Sequence, residues 1–145
     1  MKTIFLVEDN PIISKLYRDK LLREGFEVEL AEDGLNAIKR LATLRPDLVV
    51  LDLMLPIMNG VDILKYIRST PELRATPVVI LSEAYMSDLA QQAAQVGAEQ
   101  TLLKSSCTPN LLLDVINNLL SDTVLILDPS RQIAVRHPNE KPPRS

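Results

Sequence analysis

The sequence predicts an α/β protein built on a parallel sheet covered by helices on both faces. Short Val/Ile/Leu runs alternate with stretches of helical periodicity, and the runs lack the in-out alternation of a half-exposed strand. Proline and glycine fall where helices should begin and end.

The elements follow in order. "TIFLV" (3–7) reads as a short strand buried on both faces. "PIISKLYRDKLLREG" places Ile12, Ile13, Leu16, Tyr17 and Leu21 near helical spacing, with Pro11 in the first turn and Gly25 as the stop. "FEVEL" (26–30) alternates like an edge strand, and "DGLNAIKRLATLRP" is a helix closed by Pro46. "DLVVLD" is the third strand and "GVDILKYIRS" the helix after it, with Gly60 closing the turn between them. "TPVVILS" is the fourth strand, entered through Pro77, and "MSDLAQQAAQVGA" an Ala-rich helix ending at Gly97. "TLLK" is a short fifth strand; "TPNLLLDVINNLL" is the last helix, with Thr108 as N-cap and Pro109 at the first helical position. That makes five β/α units, ending near Leu120.

Composition bounds the possible functions. A chain of 145 residues, 46% hydrophobic and 24% charged, suits a globular domain with one core. A net charge of −3 argues against a dedicated nucleic-acid surface, and the absence of Trp disfavours base stacking. The single cysteine, Cys107, has no internal disulfide partner, which fits a reducing compartment. No apolar stretch approaches the roughly 20 residues of a membrane span. "MKTIFLVEDN" is too briefly apolar for a secretion signal. A cytoplasmic protein is expected.

One stretch poses the functional question. "LVVLDLMLPIMNG" (48–60) carries a carboxylate, Asp52, where an apolar run ends. An ionised acid buried without a partner costs several kcal/mol, so Asp52 needs an exposed strand end, a cation or both. In parallel sheets ligands bind beyond the carboxyl ends of the strands. There the first strand places Glu8 and Asp9, the fourth Ser82 and the fifth Lys104. Each is ordinary alone: an acid pair at a helix start, a strand-end hydroxyl, a surface lysine. Their coincidence at one rim is not. Clustered carboxylates need a hard cation, and oxygen ligands without His or Cys select Mg²⁺ over Zn²⁺. Beside Lys104 and Ser82, such a cation marks a place for a phosphoryl group, with one carboxylate as nucleophile.

These residues carry a resemblance. "LVEDN" (6–10), "DLVVLDLMLPIMNG" (47–60), "VVILS" (78–82) and "GAEQTLLK" (97–104) are similar to the motifs of two-component response-regulator receiver domains, over about Lys2 to Leu120. The resemblance implies a doubly wound, flavodoxin-like sheet of strand order 2-1-3-4-5, for which this family is itself the standard example. It implies Asp52 as phosphoacceptor from a phosphohistidine on a sensor histidine kinase or phosphotransfer protein. Asp9, Asp52 and the Met54 backbone carbonyl would bind Mg²⁺, with Glu8 holding it through water. Lys104 would pair with the phosphate, and the Ser82 hydroxyl would swing onto it as the switch.

The chain departs from the family pattern in three places. Thr101 stands where an aromatic switch residue is usual, with Tyr85 as a candidate substitute. Ser105 follows Lys104 in place of a proline whose peptide is usually cis, so this loop is expected to be strained or rearranged. Glu83 replaces a small residue, and its charge would repel a phosphoryl group unless it faces solvent. The resemblance implies that Met54 and Ala84 flank the path of hydrolytic water, and neither side chain can orient it, which predicts a long-lived phosphoform. Cys107 precedes a helix N-terminus, which can lower a thiol pKa, but an inert cysteine is the expectation.

Residues 1–121 therefore read as the receiver and 122–145 as an extension. "TVLIL" and "QIAV" form a hairpin within 123–136, around "DPSR", with Asp128 and Pro129 opening a type I turn. A disordered Pro-rich tail follows. The hairpin is similar to the small sheet that opens winged-helix output domains, so a truncated DNA-binding regulator is one alternative. Another is a receiver-like interaction module that no longer uses phosphate. A Mg²⁺-dependent phosphohydrolase is disfavoured because Met54 stands where its proton donor would be. The apolar "NLLLDVINNLL" and the Ala-rich fourth helix could form a homodimer, as could the hairpin; equally, these leucines complete the core. The leading expectation is a phosphorylation-controlled binding switch with an unknown downstream protein, no nucleic acid or membrane of its own, and no turnover enzymology.

Overall fold

The computed structural model describes residues 1–83 and 87–121 in full, and residues 123–128 and 131–136 by their backbone. In chain order the elements are β1 (Thr3–Val7), α1 (Pro11–Arg23), β2 (Glu27–Ala31), α2 (Gly34–Leu41), β3 (Leu48–Asp52), α3 (Gly60–Ser69), β4 (Val78–Ser82), α4 (Asp88–Val96), β5 (Gln100–Leu103) and α5 (Pro109–Leu120), then β6 (Thr123–Asp128) and β7 (Arg131–Arg136). The first five strands make one sheet, β2-β1-β3-β4-β5, with every pairing parallel. The expected strand order is present.

Strand alternation divides the core into two layers. Phe5, Val7, Val49, Leu51, Val78 and Ile80 pack with Ala37, Leu41, Ile63, Leu64, Ile67, Ala90 and Ala93 of α2, α3 and α4. Ile4, Leu6, Leu48, Val50, Val79, Leu81 and Leu102 meet Tyr17 and Leu21 of α1 and Leu112 and Ile116 of α5. Each such aliphatic side chain, fully buried, contributes about 1.5–3 kcal/mol. The same period of two sets functional residues. Asp52 continues the row of Leu48 and Val50 toward α1 and α5, whereas Ser82 continues Val78 and Ile80 toward α3 and α4.

Of the boundaries that differ from the sequence expectation, three have a visible cause. The second strand runs 27–31 rather than 26–30, because the Phe26 amide donates to Leu21 O at the end of α1 and is spent before the ladder begins. The second helix stops at Leu41 rather than reaching Pro46: the Arg45 guanidinium donates to the carbonyls of Leu41 (2.8 Å), Leu44 (2.9 Å) and Ala42 (3.4 Å), replacing the next turn. The fifth strand ends at Leu103, and Lys104 opens a 3₁₀ turn over Lys104–Ser106. This turn settles the question raised by Ser105: the loop is rearranged, and the described backbone has no cis peptide.

Helix ends otherwise behave as read. Asn10 caps α1, accepting from the amides of Ile12 and Ile13, and Gly25 takes φ +94° just beyond its end. The Thr108 hydroxyl accepts from Leu111 N at the start of α5. Away from the strand carboxyl ends, the Arg68 guanidinium donates to the carbonyls of Gly97, Arg74 and Thr76 and to Glu99 Oε1 (2.6 Å), which also accepts from Val78 N. That ties α3 to the entries of β4 and β5. On α5, Leu113, Val115, Leu119 and Leu120 pack partly against the core, leaving Leu111 exposed. No helix among the described residues is long and apolar enough to cross a membrane.

β6 and β7 pair antiparallel, Thr123 with Arg136 through Asp128 with Arg131. Each strand runs past the "TVLIL" and "QIAV" of the sequence reading, so Asp128 belongs to β6. Pro129, Ser130 and the Pro-rich tail lie outside the described residues, as do Ala84 and Tyr85.

Candidate functional site

Asp52 ends β3, the middle strand of the sheet, and its side chain is buried. Its neighbours come from two other chain segments, the ends of β1 and β5. Lys104 Nζ lies 2.8 Å from Asp52 Oδ2 and also donates to Glu8 Oε2 at 3.1 Å. Glu8 Oε1 stands 3.0 Å from the same ammonium. Carboxylate oxygens of Glu8, Asp9 and Asp52 all lie within 4.8 Å of one another. Glu8 and Asp52 are buried, while Asp9 is exposed.

Local backbone fixes both buried acids. The Met54 amide donates to Asp52 Oδ1 (3.1 Å), and the Asn10 amide to Glu8 Oε2 (3.0 Å). Asn10 thus caps α1 with its side chain and anchors Glu8 with its backbone. Gly60 completes the seating of Asp52. A Cβ there would stand 2.6 Å from Asp52 O and 2.8 Å from Leu53 Cα, so only glycine lets α3 start so close to the end of β3.

The electrostatics follow from burial. Glu8 is pushed up to about 7, first by desolvation and further by the Asp52 charge, against the opposing pull of the Asn10 amide and Lys104. Burial alone would lower Lys104, but its hydrogen bonds to Asp52 and Glu8 outweigh it and hold the ammonium protonated, above its ordinary value. Two buried acids sharing one lysine leave a net negative pocket.

The donor set fits a small hard cation. Among the described residues, three carboxylates converge without nitrogen or sulfur ligands, and buried Glu8 Oε1 has only the Lys104 ammonium nearby, at 3.0 Å and without hydrogen-bond geometry. Among the described residues, Glu8, Asp9 and Asp52 are the side chains able to hold Mg²⁺.

Most residues expected at the rim are there. Lys104 contacts Glu8 and Asp52 directly, and Asp9 brings a carboxylate oxygen within 4.8 Å of theirs. Ser82 is buried at the end of β4 and pairs in register with Leu103, the residue before Lys104. Thr101 is half-buried in β5 opposite Ile80. Glu83 is exposed, which removes the anticipated repulsion. Met54 presents its backbone to Asp52 while its side chain faces solvent. Tyr85 lies outside the described residues. Cys107 is buried and its thiol pushed up by desolvation, the opposite of helix activation and in line with an inert cysteine.

Two contributors escaped the sequence reading. Asn10 entered only as the last residue of "LVEDN", with no role assigned, and its backbone link to Glu8 carries no side-chain signature. Tyr17 read as one more apolar helix position, yet its hydroxyl donates to Cys107 O at 2.7 Å across the fold. Its only signal was being one of three tyrosines in a chain with few aromatics.

With this geometry in place, comparison with known proteins is decisive. The chain belongs to the response regulator receiver domain family, which it matches over residues 4–117. It is 31% identical over 121 residues to the polar-differentiation response regulator DivK of Brucella anthropi, covering 83% of this chain and 98% of that one. Among solved structures it resembles the phosphorylated cyanobacterial phytochrome response regulator RcpA (33% identity, TM-score 0.71, 80% of this chain and 89% of that one). It also resembles the receiver domain of the Pseudomonas aeruginosa PAO1 sensor histidine kinase PA1611, solved with a magnesium ion in its active-site cleft (25% identity, TM-score 0.75, 82% and 97%). Receiver domains are two-component signalling switches rather than turnover enzymes; they bind Mg²⁺ at an acidic pocket and interact with histidine kinases and downstream targets.

Proposed function

We propose that this receiver accepts a phosphoryl group on the Asp52 carboxylate from a phosphohistidine of a sensor kinase or phosphotransfer protein. The carrying observation is the buried Asp52 carboxylate, 2.8 Å from Lys104 Nζ, with Glu8 and Asp9 oxygens within 4.8 Å. In the transfer an Asp52 oxygen forms the new O–P bond as the P–N bond to the histidine breaks. The Lys104 ammonium turns from Asp52 Oδ2 onto a phosphoryl oxygen, so the incoming charge meets a cation already in place. Asp9, Asp52 and the Met54 carbonyl would hold Mg²⁺, with Glu8 reaching it through water, and a cation held there would supply positive charge to the phosphoryl oxygens. Likeness to RcpA, named as phosphorylated, and to the PA1611 receiver, named with magnesium, supports this assignment.

The Ser82 hydroxyl reports the modification by bonding to the new phosphate, and a downstream protein reads the change. Thr101 supplies no ring for the usual second half of that switch. Residues 1–121 form the phosphoacceptor unit and 122–145 an extension, in a cytoplasmic protein.

Incubation with Mg²⁺ and acetyl phosphate, followed by intact mass, tests the proposal. A single Mg²⁺-dependent phosphoryl gain is expected in the natural chain and none in Asp52→Ala. No gain in the natural chain from any donor would overturn it and favour a phosphate-independent module.

A further inference from the structure

The geometry points to Tyr17 as a positioning residue that holds the Lys104 ammonium in register with Asp52, an inference that rests on the phosphoacceptor reading above.

Lys104 sits on a weakly restrained piece of chain. It opens a three-residue 3₁₀ turn in which Ser105 and Ser106 are exposed. Cys107 N donates to Lys104 O at 3.4 Å, the long end of hydrogen bonding, and Ser106 Oγ reaches Leu103 O at the same distance. Such a turn does not by itself fix a four-carbon side chain to a few tenths of an ångström. The Lys104 Nζ contacts of 2.8 Å to Asp52 and 3.1 Å to Glu8 require that precision.

Tyr17 supplies the missing restraint. Its ring is buried in the α1/α5 layer, and its hydroxyl donates to Cys107 O at 2.7 Å, a short bond in a dry environment. Burial and the Cys107 contact push the phenol well above its ordinary value, so the hydroxyl keeps its proton and stays a donor. The links run in series: the Tyr17 hydroxyl to the Cys107 carbonyl, the short turn from Cys107 back to Lys104, and the Lys104 ammonium to Asp52 and Glu8. Tyr17 thus ties the turn to α1, the helix whose cap, Asn10, also anchors Glu8. One helix sets both the acid and the lysine. Tyr17 touches neither phosphate nor metal; it acts only through Lys104.

The test uses the full chain and beryllofluoride, an acyl-phosphate mimic, as probe. Its Mg²⁺-dependent affinity is measured for the natural chain, Tyr17→Phe, Lys104→Ala and the double variant, with Mg²⁺ affinity measured separately. Phenylalanine keeps the ring in its place and removes only the hydroxyl. Tyr17→Phe should weaken beryllofluoride about three- to tenfold, the worth of one such hydrogen bond, while Mg²⁺ affinity stays within twofold. In the Lys104→Ala background the same substitution should change nothing further, because its route is gone. Ile116→Val, a cavity in the same layer without the hydroxyl link, should leave beryllofluoride affinity unchanged, separating positioning from general loss of stability. Unchanged affinity in Tyr17→Phe, or an equal loss with and without Lys104, overturns the inference. If the natural chain itself takes up no beryllofluoride with Mg²⁺, it is the phosphoacceptor reading that fails.

Discussion

Lys104 is the cation on which two buried acids depend, so Lys104→Ala is the sharpest single perturbation of this site. In the folded chain its ammonium lies 2.8–3.1 Å from oxygens of Asp52 and Glu8, and its side chain is only 12% exposed. At an effective dielectric of about 20, each contact corresponds to roughly 5.5–6 kcal/mol of Coulomb attraction, much of it offset by desolvation. Breaking a buried pair by removing one partner costs about 3–5 kcal/mol net. The two acids do not share that loss equally. Glu8, already pushed up to about 7, escapes by taking a proton, so its share appears only where it is ionised. The variant should therefore lose about 2 kcal/mol at pH 5.5, mainly through Asp52, and about 4 kcal/mol at pH 8. Saturating Mg²⁺ should restore most of the deficit at pH 8, since a second cation then serves the same oxygens. Urea unfolding at both pH values, with and without Mg²⁺, measures all four quantities. A loss under 1 kcal/mol at pH 8, or one that neither pH nor Mg²⁺ alters, would refute the charge arrangement described here.

Three further expectations follow. Because Glu8 rises from 4.5 in the unfolded chain to about 7 in the fold, the stability it lends is complete below pH 4.5 and lost as pH climbs to 7. Mg²⁺ selects its ionised form, so Mg²⁺ affinity should be about tenfold weaker at pH 6 than above pH 8, and a flat titration between those values would contradict this. Ile57, a β-branched residue at φ +71° and 82% exposed, occupies a backbone region costing it roughly 1–2 kcal/mol. Ile57→Asn should raise the unfolding free energy by about 1 kcal/mol with an unchanged denaturant slope, whereas destabilisation would show that its side chain contributes packing. Finally, because neither Met54 nor Ala84 carries a side chain able to orient hydrolytic water, the phosphoform should be long-lived; decay within seconds in isolated protein, followed by intact mass, would exclude that.

The elements were legible wherever the signal is local. Periods of 2 and 3.6, Pro11, Gly25 and Thr108 mark strands and helices through steric and capping effects that act over four or five residues. Three of the shifted boundaries depend on groups that no residue pattern marks: an amide spent on Leu21, a guanidinium replacing a helical turn, and a strand that yields to a 3₁₀ turn one residue early. At the site, carboxyl ends of adjacent parallel strands are neighbours by topology, so Glu8, Asp9, Asp52, Ser82 and Lys104 could be placed at one rim from strand ends alone.

Which charge meets which was not legible there. That Lys104 bridges Asp52 and Glu8, that Glu8 is pushed up to about 7, and that Tyr17 reaches a carbonyl 90 residues away depend on burial and angstrom-scale distances. Residue types and spacing determined the architecture and the acid chemistry, because backbone sterics and apolar periodicity are written along the chain. Packing decided the protonation, the pairing and the restraint of the lysine, because desolvation and Coulomb energy exist only once separate segments have closed around the same few oxygens.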